Sequence, residues 1–340
     1  MRTYVERSIP HVPTGLLARE LEELLSDRHG GRVRIADLER TPIPQGSSFA
    51  IEEVLVHIED GRTLALVFKD FGPGRMIGDA DRMRPGFLHK PAREIEVYRS
   101  LLEGAGLGTA TCHAAVADPH RDRYWLFLER VPGIELYQVG EIEVWRLAAR
   151  RLAQVHRRFG TRCRTLRRMR CLVKYEPAFY RLWPLRACAI AGRTGSADDL
   201  RALQWLAARF APVVERLASL PPTLVHGDCW ASNILVERTD GGFRICPVDW
   251  EMAGLGPGLV DLAALTTGWS DAEATSIAVA YRDAMGAEAP SLDQLLADLD
   301  ACRLHLALRC LGWSARWSPP PDHDRDWLAE ALTLAERLEL

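Results

Sequence analysis

The apolar period of this chain changes once, and the change limits the folds open to it. Before residue 131, apolar residues come in short alternating runs, at 32–38, 49–58, 63–71, 110–116 and 124–129. Alternation over so few residues is the mark of half-buried strands. The second and third runs are joined by Glu59-Asp60-Gly61-Arg62, a hairpin signal. A stretch rich in Gly, Pro and charge covers 72–90, and Pro91 then opens a helix that Gly104 and Gly106 stop near residue 103. Val131-Pro132-Gly133 breaks the chain. Past residue 141 the period becomes helical: Trp145, Ala149, Leu152, Val155 and Phe159 recur three or four apart. Further helices are expected around 175–190, 198–219 and from 259 onward, interrupted by a hairpin at 224–250. The 340 residues suffice for two separate cores. The expected class is therefore α+β and bilobal. Residues 1–131 form a small lobe of five antiparallel strands and one helix. Residues 132–340 form a larger, mainly helical lobe that carries the hairpin.

Composition narrows the partners. A net charge of −3 leaves no global basic field, so neither nucleic acid nor an anionic membrane is an expected partner. The arginines at 157–158 and 162–170 read as a solvated helix face and loop. The first fifteen residues are charged and broken by proline, which is not a signal peptide, and no run is long and apolar enough to span a bilayer. Eight cysteines show no C-x-x-C pair and no metal-ligand spacing, as expected of reduced thiols in a cytoplasmic protein. The oligomeric state stays open between monomer and homodimer.

Two residue types are nearly absent, which makes their survivors informative. Asn233 is the single asparagine, and three lysines stand against forty arginines. Asn233 closes His226-Gly227-Asp228-Cys229-Trp230-Ala231-Ser232-Asn233, and Val248-Asp249-Trp250 follows across a short hairpin. An Asp, an Asn five positions on and a second Asp are the oxygen donors a Mg-nucleotide phosphotransfer site requires. Asp228 is then the carboxylate that orients an attacking hydroxyl, and Asn233 and Asp249 hold Mg²⁺. The plainer reading is an Asx turn between two strands. Lys69 ends a strand that places Ala65 and Val67 on its own face. Such a face suits a nucleotide: Val67 lies against the base and Lys69 on the phosphates, where a compact ammonium outperforms a guanidinium. Glu94, on the inward face of the next helix with Tyr98 and Leu101, is the expected partner of Lys69. Gly46, Ser47 and Ser48 precede the second strand and offer backbone N–H groups to phosphates. Backbone groups of Glu129 and Val131 are positioned to pair with an adenine edge. His226 is expected to support the loop, and Asp261 to cap a helix or brace the loop. Cys229 is a weak candidate nucleophile, since no base is placed beside it.

At these residues the chain resembles the aminoglycoside phosphotransferase and choline kinase-like enzymes, relatives of the protein kinases. His226-Gly227-Asp228 with Asn233 is similar to that family's H-G-D-x-x-x-x-N loop, and Val248-Asp249-Trp250 to its metal-binding segment. Leu128-Glu129-Arg130-Val131-Pro132-Gly133 resembles its hinge, and Val260-Asp261-Leu262-Ala263 its D-L-A segment. The resemblance implies a bilobal protein kinase-like fold, ATP or GTP with Mg²⁺, and O-phosphorylation of a small hydroxylated acceptor such as an aminoglycoside-like antibiotic, another natural product, a sugar or an amino alcohol. The alternative is a catalytically silent nucleotide-binding regulatory module of the same fold. Trp230 and Ala231 depart from the small or polar residues usual in the loop, and 72–90 is long for the fold.

Overall fold

The computed structural model of the chain describes residues 12–43, 48–77, 83–314 and 325–340. Two compact units emerge: residues 1–82 with 89–132, and residues 83–88 with 133–340.

In the first unit the described residues form an antiparallel sheet in the order β1-β2-β3-β5-β4. Its strands are β1 (Ile35–Pro42), β2 (Ile51–Ile58), β3 (Thr63–Asp70), β4 (Cys112–Asp118) and β5 (Arg123–Glu129). The pleat sorts the side chains. Val54, Val56, Leu66, Phe68, Trp125 and Phe127 share one buried face, while Ala65 on the opposite face is exposed. A helix, α1 (Thr14–His29), covers the apolar face with Leu17, Leu21 and Leu25, each four residues from the last and fully buried. Three such leucines contribute about 6 kcal/mol of burial. The sequence reading placed no helix here, although Gly30 ends it in the left-handed conformation and Arg28 and His29 complement its C-terminal dipole. Strand β1 starts three residues later than its alternating run, beside a register shift between Ile35 and Asp37. The helix expected from Pro91 is α2 (Ala92–Val97), which widens into one π turn (Tyr98–Leu102) where the Glu103 N–H donates to the Tyr98 carbonyl. The turn keeps Glu94, Ile95, Tyr98 and Leu101 buried together.

The second unit is built around α3 (Ile142–Gly160), with Trp145, Ala149, Leu152, Val155 and Phe159 buried. Helices α4 (Cys163–Arg168), α5 (Pro177–Thr194), α6 (Ala197–Arg209) and α7 (Ala211–Ser219) follow. The last two were expected as one; Pro212 removes a backbone donor, and the chain restarts with it in a new first turn. The hairpin is β9 (Ile234–Thr239) and β10 (Gly242–Pro247), joined on its β9 edge by β6 (Ile134–Glu135). A second small sheet orders β7 (Val173–Lys174), β11 (Gly254–Pro257) and β8 (Pro222–Val225). Helices α8 (Leu259–Leu265), α9 (Asp271–Met285), α10 (Leu292–Leu311) and α11 (Trp327–Arg337) complete the unit. Its core takes in Leu88, so residues 83–88 pack with this unit, although the sequence places them inside the first lobe. Among the described residues no helix is long and apolar enough to cross a membrane.

Candidate functional site

Lys69 lies on β3, a central strand flanked by β2 and β5, opposite Ile51 and Leu126. It is no exposed edge lysine: its side chain is 5% exposed and that of Glu94 is 1% exposed. Their charged ends meet, with Nζ 2.9 Å from Oε1 and 3.2 Å from Oε2. A buried ammonium requires such a partner, because desolvating either charge alone costs several kcal/mol. Val67, two residues back on the Lys69 face, is half-buried. Gly46 and Ser47 lie outside the described residues; the Ser48 carbonyl accepts the Ile77 N–H at 3.1 Å. At the end of β5 the structure narrows one expectation: of the Glu129 backbone groups, the N–H is engaged and donates to the Thr111 carbonyl at 2.8 Å. The Glu129 carboxylate in turn accepts the Thr111 N–H at 2.9 Å. Val131 is buried, and its backbone makes no hydrogen bond among the described residues.

The second unit gathers the other candidates. Strand β8 runs into His226-Gly227-Asp228, and the loop is held from below by Asp261 in the first turn of α8. The Asp261 carboxylate, 1% exposed, accepts the N–H of His226 at 2.7 Å and of Gly227 at 2.8 Å. His156 Nε2 lies 3.2 Å from the same carboxylate, and its Nδ1 lies 2.8 Å from the Tyr281 hydroxyl. Asp261 is thus a brace and no cap. Gly227 has φ +80°, and a Cβ there would lie 2.3 Å from the Met252 carbonyl oxygen, so only glycine fits. His226 supports the loop as expected. Its Nε2 donates to the Val248 carbonyl at 2.7 Å, and its Nδ1 accepts the Asp228 N–H at 3.3 Å. Both ring nitrogens are therefore committed to structure.

The hairpin register brings the remaining candidates together. Ile234 pairs with Pro247, and one step further the Val248 N–H donates to the Asn233 carbonyl at 2.9 Å. Asn233 and Asp249 therefore end the two strands side by side. Asn233 Nδ2 donates to the Asp228 carbonyl at 2.8 Å, which leaves Oδ1 as the amide atom able to serve a cation. Asp249 takes the left-handed conformation, φ 66° and ψ 56°, a region Asp enters more readily than bulkier residues. The described residues hold no group of three or more His, Cys, Asp or Glu fit to cage a metal. One carboxylate and one amide oxygen instead suit Mg²⁺, which keeps waters and takes its other ligands from phosphates.

Two residues that the sequence did not single out complete the site. Arg309, buried on α10, donates Nη1 to the Gly227 carbonyl at 2.6 Å and Nη2 to Asp228 Oδ1 at 3.1 Å. Burial alone would pull its guanidinium down, but neighbouring Tyr175 and Asp228 outweigh burial and hold it above its ordinary value. Arg84, from the segment within 72–90, is buried and pairs Nη1 with Glu251 Oε2 at 2.7 Å. Here too burial works downward, and Glu251, then Asp249 and Asp228, raise the group overall. Cys229, buried, has its thiol pushed well above the ordinary range by burial and by Asp261 and Asp228. Burial and neighbouring carboxylates disfavour the thiolate a nucleophile needs.

The model of a phosphotransferase enzyme family matches residues 39–305. No curated protein sequence matches. Among solved structures, a microcompartment-associated aminopropanol kinase aligns at 18% identity with a TM-score of 0.56, over 88% of this chain and 90% of that one. A choline kinase from Cryptosporidium parvum Iowa II aligns at 12% identity and 0.55, over 96% and 94%. An ADP-bound aminoglycoside phosphotransferase, APH(2'')-Ib, aligns at 14% identity and 0.53, over 94% and 98%. At these identities the likeness is one of fold, and the fold is protein kinase-like.

Proposed function

Because the chain belongs to the phosphotransferase enzyme family, we propose that it moves the terminal phosphoryl group of a Mg²⁺-bound nucleotide onto a hydroxyl of a small molecule. Asp228 orients the acceptor hydroxyl and takes its proton. Asn233 Oδ1 and the Asp249 carboxylate hold the cation, which neutralises charge on the transferring group when bound. Lys69, held by Glu94, meets the nucleotide phosphates, Val67 the base, and the Val131 N–H an acceptor atom on the base edge. ATP is the favoured nucleotide, with GTP as the alternative.

One observation supports this reading: in a chain that has all but given up asparagine, its one asparagine joins the Asp228 loop to the hairpin end that carries Asp249, through Asn233 Nδ2 on the Asp228 carbonyl and the Val248–Asn233 bond. Transfer through a loose transition state asks the protein for positioning more than covalent chemistry, and fixed oxygen donors provide it. The acceptor classes worth presenting are those named for the fold neighbours, amino alcohols and aminoglycosides, with macrolides, sugars and other hydroxylated metabolites beside them.

The test is a panel of such acceptors with MgATP or MgGTP, reading nucleoside diphosphate release and then the mass of the product. A phosphorylated acceptor is expected, and Asp228→Ala should slow its formation about a thousandfold while nucleotide affinity holds. Product formed at the wild-type rate by Asp228→Ala would remove Asp228 from its role.

A further inference from the structure

The two oxygens of Asp228 are not equivalent. Oδ1 accepts two hydrogen bonds of ordinary length, from Trp230 Nε1 at 2.9 Å and from Arg309 Nη2 at 3.1 Å. Among the described residues Oδ2 has only the long approach of Asn233 Nδ2, at 3.4 Å, from a nitrogen already committed to the Asp228 carbonyl at 2.8 Å. The carboxylate keeps 29% of its side-chain surface open. We propose that Arg309 and Trp230 are positioning residues: together they occupy Oδ1 and fix the carboxylate plane so that Oδ2 is the atom presented to the acceptor hydroxyl. The inference rests on the phosphotransfer reading above and adds to it which oxygen works and what aims it.

The geometry favours aiming over simple charge pairing. A free aspartate side chain turns about two single bonds. Here the guanidinium bridges two points of one residue pair, the Gly227 carbonyl at 2.6 Å and Oδ1 at 3.1 Å, so backbone and side chain are fixed by the same planar group. Arg309 is itself buried. The indole adds a second, independent direction, since Trp230 follows two residues after Asp228 and its ring packs 6.1 Å from that of Trp327. Two donors from different directions define a plane; one would leave a hinge. The loop position filled by Trp230 is where the chain departs from the family pattern, so a donor indole there is a property of this sequence.

Two measurements test the assignment. The first needs no acceptor: the indole Nε1–H resonance of Trp230 in isotope-labelled protein. It should sit downfield, move in Asp228→Ala, and move again in Arg309→Lys, which keeps a cation but cannot span both acceptors. A resonance unaffected by Asp228→Ala overturns the contact and with it the proposal. The second is MgATP consumption, with water or the acceptor found by the panel. Trp230→Phe, which keeps a ring and loses only the donor, should lower kcat about tenfold with KM for MgATP unchanged. In an Asp228→Ala background it should cost nothing further, because it acts through Asp228. A proportional rise in KM, or an undiminished loss in that background, refutes positioning. Protein that consumes no nucleotide with any acceptor sinks the phosphotransfer reading, while the resonance still decides the contact.

Discussion

Asp261→Asn is the sharpest test of how the loop is held, because the change is nearly isosteric and the structure sets its cost. Three donors converge on this carboxylate: the His226 N–H and His156 Nε2 on Oδ2, at 2.7 and 3.2 Å, and the Gly227 N–H on Oδ1 at 2.8 Å. The new amide must place its nitrogen against one of these oxygens' partners. Setting it toward Gly227 strands one donor, whereas the other orientation strands two, so the Gly227 side gives way. A stranded buried N–H costs about 1–3 kcal/mol. The two surviving bonds lose a charged acceptor, at about 0.5–1 kcal/mol each. The sum is about 3 kcal/mol. Urea unfolding followed by circular dichroism reads the stability, and amide hydrogen exchange at His226 and Gly227 locates the change. Because Asp228 follows directly, the phosphotransfer rate should fall as well. A loss under about 1 kcal/mol, with both amides still protected, would refute the brace.

The remaining predictions concern other joints of the molecule. Gly227→Ala forces a left-handed alanine, about 1–2 kcal/mol, against a carbonyl oxygen only 2.3 Å from the new Cβ, so thermal unfolding and activity should both suffer; an alanine variant as stable as the parent contradicts the geometry. For the Lys69–Glu94 pair, each single change, Lys69→Met or Glu94→Leu, should cost about 3–5 kcal/mol, and the double change much less, because each single leaves a buried charge alone. Additive losses in a double-mutant cycle would deny the pairing. His305 is buried, its ring nitrogens find no partner among the described residues, and burial and then Arg309 depress its pKa to about 3. The unfolded chain therefore takes up a proton as pH falls below about 6.5 while the folded one does not, so this residue's contribution, intact above pH 6.5, is lost on the way down to about 3. Between pH 7 and pH 5 the parent should lose about 2 kcal/mol more than His305→Phe, at about 1.4 kcal/mol per pH unit below 6.5; parallel losses would show that His305 is not held neutral.

Much of the fold was open to inspection in the sequence because its signals are local. Alternation in 49–58 and 63–71 and the Asp60-Gly61 turn between them specify a hairpin without outside help. The helical face of Trp145, Ala149, Leu152 and Phe159 does the same for α3. What escaped depended on neighbours or on weak starts. Helix α1 opens after a proline with no side-chain cap, and its leucines acquire meaning only against the sheet face they cover. The π turn after Val97 and the allocation of 83–88 to the second unit arise from packing, through Tyr98, Leu101 and Leu88.

The site divides by the same logic, with composition as the deciding factor. Asn233 and Lys69 stood out because the chain has almost no other asparagine or lysine, and a compact ammonium is not replaced by a guanidinium in a tight pocket. That filter is blind to arginine. Arg309 and Arg84 are two among forty, and Arg309 lies eighty-one residues from the carboxylate it grips. Nothing in the spacing around Arg309 distinguishes it from a solvated helix residue; only burial does, because a guanidinium taken out of water must find acceptors at once. Arg309 finds them in the Gly227 carbonyl and Asp228, and Arg84 in Glu251. In a chain that uses arginine for nearly every cation, the arginines to examine are the buried ones; among the described residues these are Arg84, Arg93 and Arg309, and two of them, Arg84 and Arg309, make their contacts at the loop and the segment that carry Asp228 and Asp249.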